Sequence, residues 1–140
     1  MKQILTAGAM LLALASCAPK VTTDKYPEDV KKDGLVTIIE DNNITLPLRD
    51  SRAVMKFTAT WCGPCKRYKP VFQELADYNP NISFYSVDID ENPNIKKKYE
   101  IPGVPTTVFL KDGQEVKRIV GYSDGKKREL IEEAVYDHSE

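Results

Sequence analysis

The chain has 140 residues, 41% of them hydrophobic and 29% charged, which suffices for one compact domain and excludes a large multidomain enzyme. Twenty lysine and arginine residues nearly balance 21 acidic residues, so a net charge of −1 leaves no basic excess to neutralise a nucleic-acid backbone. Three cysteines and one histidine exclude a disulfide-stapled miniprotein and fill a four-ligand zinc site only if all four converge. We therefore expect no nucleic-acid partner and no metal.

The first 16 residues are typical of an export signal, because a lysine near the start precedes a nearly uncharged run rich in leucine and alanine, Ile4 to Ala15. This run is shorter than the roughly 20 residues of a membrane-spanning helix. Leu14-Ala15-Ser16-Cys17 ends it and resembles the lipobox of bacterial lipoproteins, which are cleaved before the cysteine and acylated on its thiol. The alternatives are an ordinary secretory signal cleaved nearby and an uncleaved anchor.

The lipobox resemblance implies a signal peptide over residues 1–16, a lipidated Cys17 and a flexible tether to residue 33. Two prolines, several charges and little apolar periodicity between residues 18 and 33 favour such a tether. It would hold a domain of residues 34–140 away from a membrane. Cys62 and Cys65 would then be the free thiols of the mature chain.

Beyond residue 34 the apolar pattern alternates between helical and strand periods, which predicts α/β layering. Strands are predicted over Leu35–Ile39 and Ile44–Leu48, with a turn at Asn42-Asn43 between them. A long helix is not expected in this region, because β-branched residues and Pro47 make a helix energetically unfavourable. A third strand, Ala53–Ala59, leads to the cysteines.

The remaining elements follow in the order helix, strand, helix, hairpin, helix. They are a helix over Cys65–Tyr78 that contains Pro70 and buries Tyr68, Phe72, Leu75 and Ala76; a strand over Ile82–Asp88; a short helix from Asn92-Pro93 to Tyr99; strands Thr106–Leu110 and Val116–Val120 joined by a turn at Lys111-Asp112-Gly113; and a helix capped by Ser123 or Asp124 that buries Leu130, Ile131, Ala134 and Val135.

The candidate reactive residues are concentrated in Trp61-Cys62-Gly63-Pro64-Cys65, between a predicted strand and a predicted helix. Two thiols in the first helical turn can close a disulfide, and the helix N-terminus favours the thiolate of Cys62. Cys62 is predicted to attack a substrate disulfide and Cys65 to resolve the mixed disulfide. The alternatives are a zinc half-site, an iron–sulfur site shared between subunits, and a structural disulfide, which would close too small a loop to stabilise the fold much.

Three segments together resemble the thioredoxin family: AVMKFTATWCGPCKRYKP, DIDENPNIKKKYEIPGVPTTVFLKDGQEV and VGYS. The resemblance covers about residues 34–137. It implies the α/β thioredoxin fold, with a central mixed sheet of four or five strands, helices on both of its faces and the dithiol at its edge. It also implies that the redox-active disulfide Cys62–Cys65 works without a cofactor.

The resemblance assigns roles to individual residues around the dithiol. Gly63 and Pro64 separate the attacking Cys62 from the resolving Cys65, and Trp61 provides a flat apolar surface beside them. Pro105 matches the cis-proline of the family, and Gly103 and Val104 before it present backbone to an extended substrate strand. Gly121 and Tyr122 match another wall of this groove; alternatively, Gly121 ends a strand and Tyr122 caps the core.

Lys56 is a departure from the family, which usually has a buried aspartate at this position that helps to move protons to the resolving thiol. The lysine that accompanies that aspartate is also replaced, by Ser86. Lys56 either extends from the sheet edge without a function, or favours the Cys65 thiolate or acts as a base. If Lys56 is buried and charged it needs an acid, for which Asp88 and Glu40 are candidates.

These observations predict an exported thiol–disulfide reductase, lipid-anchored in the bacterial cell envelope and facing the periplasm or the exterior. Gly63 and Pro64 provide no charge or donor that would stabilise the thiolate as in strongly oxidising relatives. Its expected partners are disulfide-containing exported proteins, a membrane or envelope electron donor and the membrane itself, and the protein is expected to be a monomer. The alternatives are a disulfide oxidase or isomerase, and a non-catalytic module that binds partners around Trp61 and Tyr122.

Overall fold

The computed structural model describes residues 32–140, so the predicted export signal, Cys17 and the tether up to residue 31 lie outside the described residues. The elements are β1 (Lys32–Asp33), β2 (Val36–Ile39), α1 (Thr45–Arg49), β3 (Arg52–Thr58), α2 (Gly63–Tyr78), β4 (Ser83–Asp88), α3 (Pro93–Lys98), β5 (Thr106–Lys111), β6 (Gln114–Val120) and α4 (Lys126–Ser139). No helix among the described residues is long and apolar enough to span a bilayer.

The strands form one mixed sheet in the order β1-β2-β4-β3-β5-β6. The β2, β4 and β3 strands are parallel, whereas β5 is antiparallel to β3 and β6 is antiparallel to β5. The predicted mixed sheet is therefore confirmed, with β3 near its centre. A short sixth strand, β1, consists of two residues that the sequence analysis included in the tether.

Helices cover both faces of the sheet, as expected. Met55 and Phe57 of β3 face Ile95 of α3, in a core cluster that also contains Tyr99. Val54 faces the opposite way, into a cluster with Phe72 of α2 and Ile131 of α4. This alternation places Lys56 on the same face as Val54, beneath α2.

The predicted second strand, Ile44–Leu48, is wrong, because Thr45–Arg49 forms the short helix α1. The Asn43 side chain accepts a hydrogen bond from the Thr45 amide, 3.1 Å away, and thereby supports the start of the helix. Pro47 lies in the first turn, where amide hydrogens have no helical partner, so the proline costs no hydrogen bond there. The expected absence of a long helix is confirmed.

The last helix also begins later than predicted, with Gly125 rather than Ser123 or Asp124 as its N-cap. Gly125 has a φ of +103°, a value that residues other than glycine rarely adopt. The Asp124 carboxylate does not cap the helix, because it accepts a hydrogen bond from the Tyr122 hydroxyl at 2.9 Å. Within the predicted apolar stripe, Leu130 remains 39% exposed, so its predicted burial is wrong. The hairpin turn is confirmed, with Gly113 at φ +77°.

Asn92 connects the loop after β4 to the turn after β2. Its side chain is fully buried, accepts a hydrogen bond from the Asn42 amide at 2.9 Å and donates to the carbonyl oxygens of Ile39 and Asp88 at 3.1 and 3.0 Å. One side chain therefore satisfies three backbone groups that lie in different segments.

We predict that Asn92→Ala lowers the free energy of unfolding by about 2–4 kcal/mol, because it removes three hydrogen bonds and takes this buried partner from the Asn42 amide and the Ile39 carbonyl. Asn94→Ala is the matched control, since Asn94 is exposed and uses its backbone amide in the contact with Asn42. Urea denaturation measures both variants. Equal stabilities for the two variants would contradict the assignment.

Candidate functional site

The two cysteines lie at the start of the 16-residue helix α2, shortly after the end of β3. Cys62 is the N-cap of α2, and its Sγ accepts a hydrogen bond from the Cys65 amide at 3.2 Å. Pro64 lies in the first turn, where its missing amide hydrogen costs nothing. The side chains of Cys62 and Cys65 are joined in a disulfide with their Cα atoms 5.3 Å apart, so the structure describes the oxidised form.

Both sulfur-bearing residues are largely shielded from solvent, Cys62 with 4% and Cys65 with 2% of its surface exposed. Trp61 beside them is 67% exposed, and its indole Nε1 donates to Asp90 Oδ2 at 2.8 Å. This bond fixes the orientation of an apolar ring at the rim of the dithiol. The sequence analysis did not identify Asp90, whose carboxylate holds that ring.

The loop before β5 closes the other side of the dithiol. The Val104–Pro105 peptide bond is cis, as the resemblance implied, and Val104 O lies 3.6 Å from Cys62 Sγ. The Gly121 amide donates to Pro105 O at 2.7 Å, and the Thr106 hydroxyl donates to Gly103 O at 2.7 Å. The structure therefore brings Gly103, Val104, Pro105 and Gly121 together near Cys62.

Gly121 and Tyr122 are neighbours in the chain but occupy different environments. Gly121 has φ of +81°, which favours glycine, and is partly exposed. Tyr122 is only 7% exposed, and its ring stacks on Tyr68 with 4.7 Å between the ring centroids. The structure thus favours the alternative in which Tyr122 caps the core beneath α2.

Lys56 faces the α2 side of β3 and is 4% exposed. It lines a cavity of about 560 Å³ that reaches Cys65, together with Ser86 and Asp88. Its Nζ lies 4.9 Å from the ring centroid of Phe72. The cavity therefore connects Lys56 with Cys65, as a role of this lysine toward the Cys65 thiolate requires.

The acid near Lys56 differs from the two candidates that the sequence suggested. Asp88 lines the cavity, but its Oδ1 accepts the Asp90 amide at 2.8 Å; Glu40 does not line the cavity. Within residues 32–140 neither forms an ion pair with Lys56. Asp33 of β1 also lines the cavity and pairs with Lys69 Nζ at 2.7 Å. Sequence analysis missed Asp33 because it assigned this residue to the tether.

Burial lowers the pKa of Lys56 to about 8, because the protein interior solvates the ammonium poorly. This value also includes the positive charge of Lys69, which lowers the pKa, and the negative charge of Asp33, which raises it. The ammonium is therefore costly to keep charged, and its proton is held less tightly than in an exposed lysine.

We predict that Lys56→Met raises the free energy of unfolding by about 1–3 kcal/mol at pH 7, because it removes a buried charge. The folded pKa near 8 lies below the unfolded value of 10.5, so the unfolded chain binds more protons between these values. The free energy of unfolding of the wild type therefore rises as the pH increases from about 8 to 10.5. The difference in stability between Lys56→Met and the wild type becomes smaller over the same range. Urea denaturation from pH 6 to 10 measures the difference, with Lys117→Met on exposed β6 as control. A constant difference would contradict the depressed pKa.

Among residues 32–140, no group of three histidine, cysteine or acidic side chains is arranged to hold a metal ion.

Comparison with known proteins agrees with this geometry. The thioredoxin family model matches residues 35–135. The thioredoxin of Staphylococcus saprophyticus is 36% identical over 101 residues, which make up 71% of this chain and 94% of that relative. The crystal structure of a Malassezia sympodialis thioredoxin has a TM-score of 0.68 and 32% identity, covering 79% of this chain and 98% of its own. A Nicotiana alata thioredoxin has a TM-score of 0.69 at 27% identity, covering 80% of this chain and 99% of its own. The chain therefore belongs to the thioredoxin family and is a thiol–disulfide oxidoreductase with a Cys62–Cys65 pair.

Proposed function

We propose that this protein is a lipid-anchored envelope thioredoxin that reduces disulfides in exported proteins. The observation that carries the reductase chemistry is the position of Cys62, which caps α2 and lies 3.6 Å from Val104 O beside the cis Pro105 bond. Export and anchoring rest on the apolar run before Leu14-Ala15-Ser16-Cys17.

The reaction begins when the Cys62 thiolate of the reduced protein attacks one sulfur of a substrate disulfide. A bond forms between Cys62 Sγ and that sulfur, and the second substrate sulfur leaves as a thiolate with the electron pair of the broken bond. The Cys65 amide, which donates to Cys62 Sγ at 3.2 Å, and the N-terminus of α2 favour the thiolate form of Cys62.

Cys65 then loses its proton and attacks Cys62 Sγ. The Cys62–Cys65 bond forms, the bond between Cys62 and the first substrate sulfur breaks, and that first sulfur leaves as a thiolate. Two electrons and two protons have then moved from the protein dithiol to the substrate, which becomes a dithiol. The Cys62–Cys65 disulfide of the structure is the product state of this cycle.

A substrate strand would bind in the groove that surrounds Cys62. The exposed ring of Trp61 offers an apolar contact, and the backbone of Val104 before the cis proline can pair with an extended chain. Gly103 and Gly121 flank this backbone without side chains that would obstruct it. The groove therefore favours an extended segment of a protein as substrate.

Electron flow toward the substrate is favoured by Gly63 and Pro64, which place no charged side chain between the cysteines. A reductant in an oxidising compartment needs continuous reduction, so the proposal requires a membrane or envelope electron donor. In the described part of the chain the protein provides no further cysteine to act as an internal donor.

We predict that Cys65→Ser accumulates mixed disulfides on Cys62, because the attacking thiol remains while the resolving thiol is removed. Non-reducing electrophoresis of cells that produce the full chain measures the adducts, and mass spectrometry locates the crosslinked cysteine. Double substitution of Cys62 and Cys65 is the control and should abolish them. Equal trapping by Cys62→Ser would reverse the assigned roles.

Insulin reduction separates a reductase from a non-catalytic binding module. The reduced wild-type protein should precipitate insulin chains with dithiothreitol as donor, and Cys62→Ser should lose this activity. An inactive wild-type protein would contradict the reductase proposal. An equilibrium with glutathione that leaves the protein mainly reduced would instead indicate an oxidase or isomerase.

We predict that Cys17→Ser releases the protein from membranes, because the acyl chains would be attached to this thiol. Fractionation of cells followed by immunoblotting measures the distribution, and mass spectrometry of the purified protein identifies its N-terminus. Cys62→Ser serves as a cysteine control that keeps membrane attachment. An unmodified N-terminus at another residue would contradict the lipoprotein assignment.

A further inference from the structure

Lys56 stands out because a nearly buried ammonium lines the same cavity as the resolving cysteine. Lys56 is 4% exposed, Cys65 is 2% exposed, and both line the cavity of about 560 Å³ beneath α2. Cys62 is not among the lining residues, since it faces Val104 instead. Lys56 therefore shares this cavity with Cys65 and not with Cys62.

The charged and titratable groups that line this cavity beside Lys56 come from β1, α2, β4 and the loop after β4, whereas β2 contributes only apolar side chains. They are Asp33 of β1, Cys65, Lys66 and Lys69 of α2, Asp88 of β4 and Glu91 of the loop that follows it. The Tyr68 ring lies 5.9 Å from Lys56 Nζ, but its hydroxyl is bonded to Thr107 and burial raises its pKa, so it stays neutral. Asp33 is paired with Lys69, and the Asp88 carboxylate accepts backbone amides at 2.8 and 3.4 Å.

Of the three acids, Asp33 and Asp88 are thus bound to other groups and Glu91 is exposed, while Lys56 contacts aromatic rings. Its Nζ lies 4.9 Å from the Phe72 centroid, within the range of a cation–π attraction, but the ring carries no negative charge to neutralise the ammonium. A thiolate that forms at Cys65 would give this ammonium an opposite charge in a poorly solvated cavity. Such a pair is mutually stabilising, because the low dielectric strengthens the attraction.

We propose that Lys56 is a positioning residue whose ammonium stabilises the Cys65 thiolate and so promotes the resolution of the mixed disulfide. The inference rests on the proposed disulfide reduction and extends it to one step. In that step Cys65 releases its proton to solvent through the cavity, attacks Cys62 Sγ and expels the substrate thiolate. Lys56 keeps its own proton and forms no bond.

The same interaction links the proton affinity of Lys56 to the redox state. In the disulfide form burial lowers the pKa of Lys56 to about 8. A thiolate at Cys65 in the reduced form raises the pKa of Lys56, and by reciprocity the ammonium lowers the pKa of Cys65 by the same amount. The reduced protein with a Cys65 thiolate therefore binds its Lys56 proton more tightly than the disulfide form.

The test is stopped-flow reaction of the reduced protein with an aromatic disulfide whose released thiolate absorbs visible light, from pH 5 to 9. The first release reports attack by Cys62 and depends on disulfide concentration. The second reports resolution by Cys65 and does not. The variants are Lys56→Met, Lys56→Gln as a second neutral side chain, and Lys56→Arg, which keeps the charge, with Lys117→Met as control.

We expect Lys56→Met and Lys56→Gln to slow the second release about tenfold at pH 7, because the pKa of Cys65 rises by about one unit without the cation. Their resolution profiles should shift to higher pH, while the first release changes less than twofold. Lys56→Arg should restore the wild-type resolution rate, and Lys117→Met should change neither phase. Titration of thiolate absorbance in the ultraviolet provides the Cys65 pKa independently.

Superimposable resolution profiles for wild type, Lys56→Met and Lys56→Gln would overturn this inference and leave Lys56 a buried side chain without a role in exchange. An equal slowing of both releases would also overturn it, since it would indicate a general structural defect. Failure of the wild-type protein to react at all would instead contradict the proposed disulfide reduction. Circular dichroism of each variant confirms that it is folded.

Discussion

The position of β3 between β4 and β5 is the constraint on which the site depends. Hydrogen bonds to both neighbours fix the strand, so its end delivers Cys62 to the start of α2 and its alternation turns Lys56 beneath that helix. The antiparallel pairing with β5 also brings Pro105, which directly precedes β5, beside the same strand end. One strand therefore positions Cys62, the backbone that faces it and the buried ammonium of Lys56.

The two sides of the dithiol differ because these segments differ. Cys62 meets the Val104 carbonyl and lies near the exposed Trp61 ring, an environment suited to contact with another chain. Cys65 lies one turn into α2 and borders a cavity with Lys56. The different surroundings of the two cysteines support the proposal that Cys62 attacks the substrate and Cys65 resolves the mixed disulfide.

Local sequence determined the parts of the fold that need no distant partner. Pro93 after Asn92 starts α3, and Gly113 with positive φ turns the hairpin, and both were predicted from a few residues. α1 was missed because Pro47 is compatible with a first helical turn as well as with an extended segment. The burial of Tyr122 depends on stacking with Tyr68, 54 positions earlier in the chain, which no local pattern indicates.

Asp33, the acid near Lys56, shows why a residue can be identified from the sequence while its environment cannot. The sequence identified Lys56 as a departure from the family pattern, but Asp33 reaches the cavity through the pairing of β1 with β2, which its polar surroundings did not suggest. Since Asp33 is itself paired with Lys69, its attraction for Lys56 is partly offset by the repulsion from Lys69. A cation so weakly compensated costs folding free energy in the disulfide form, and a thiolate at Cys65 would offset part of that cost. Under this proposal, Lys56 affects both the stability of the fold and the reactivity of the dithiol.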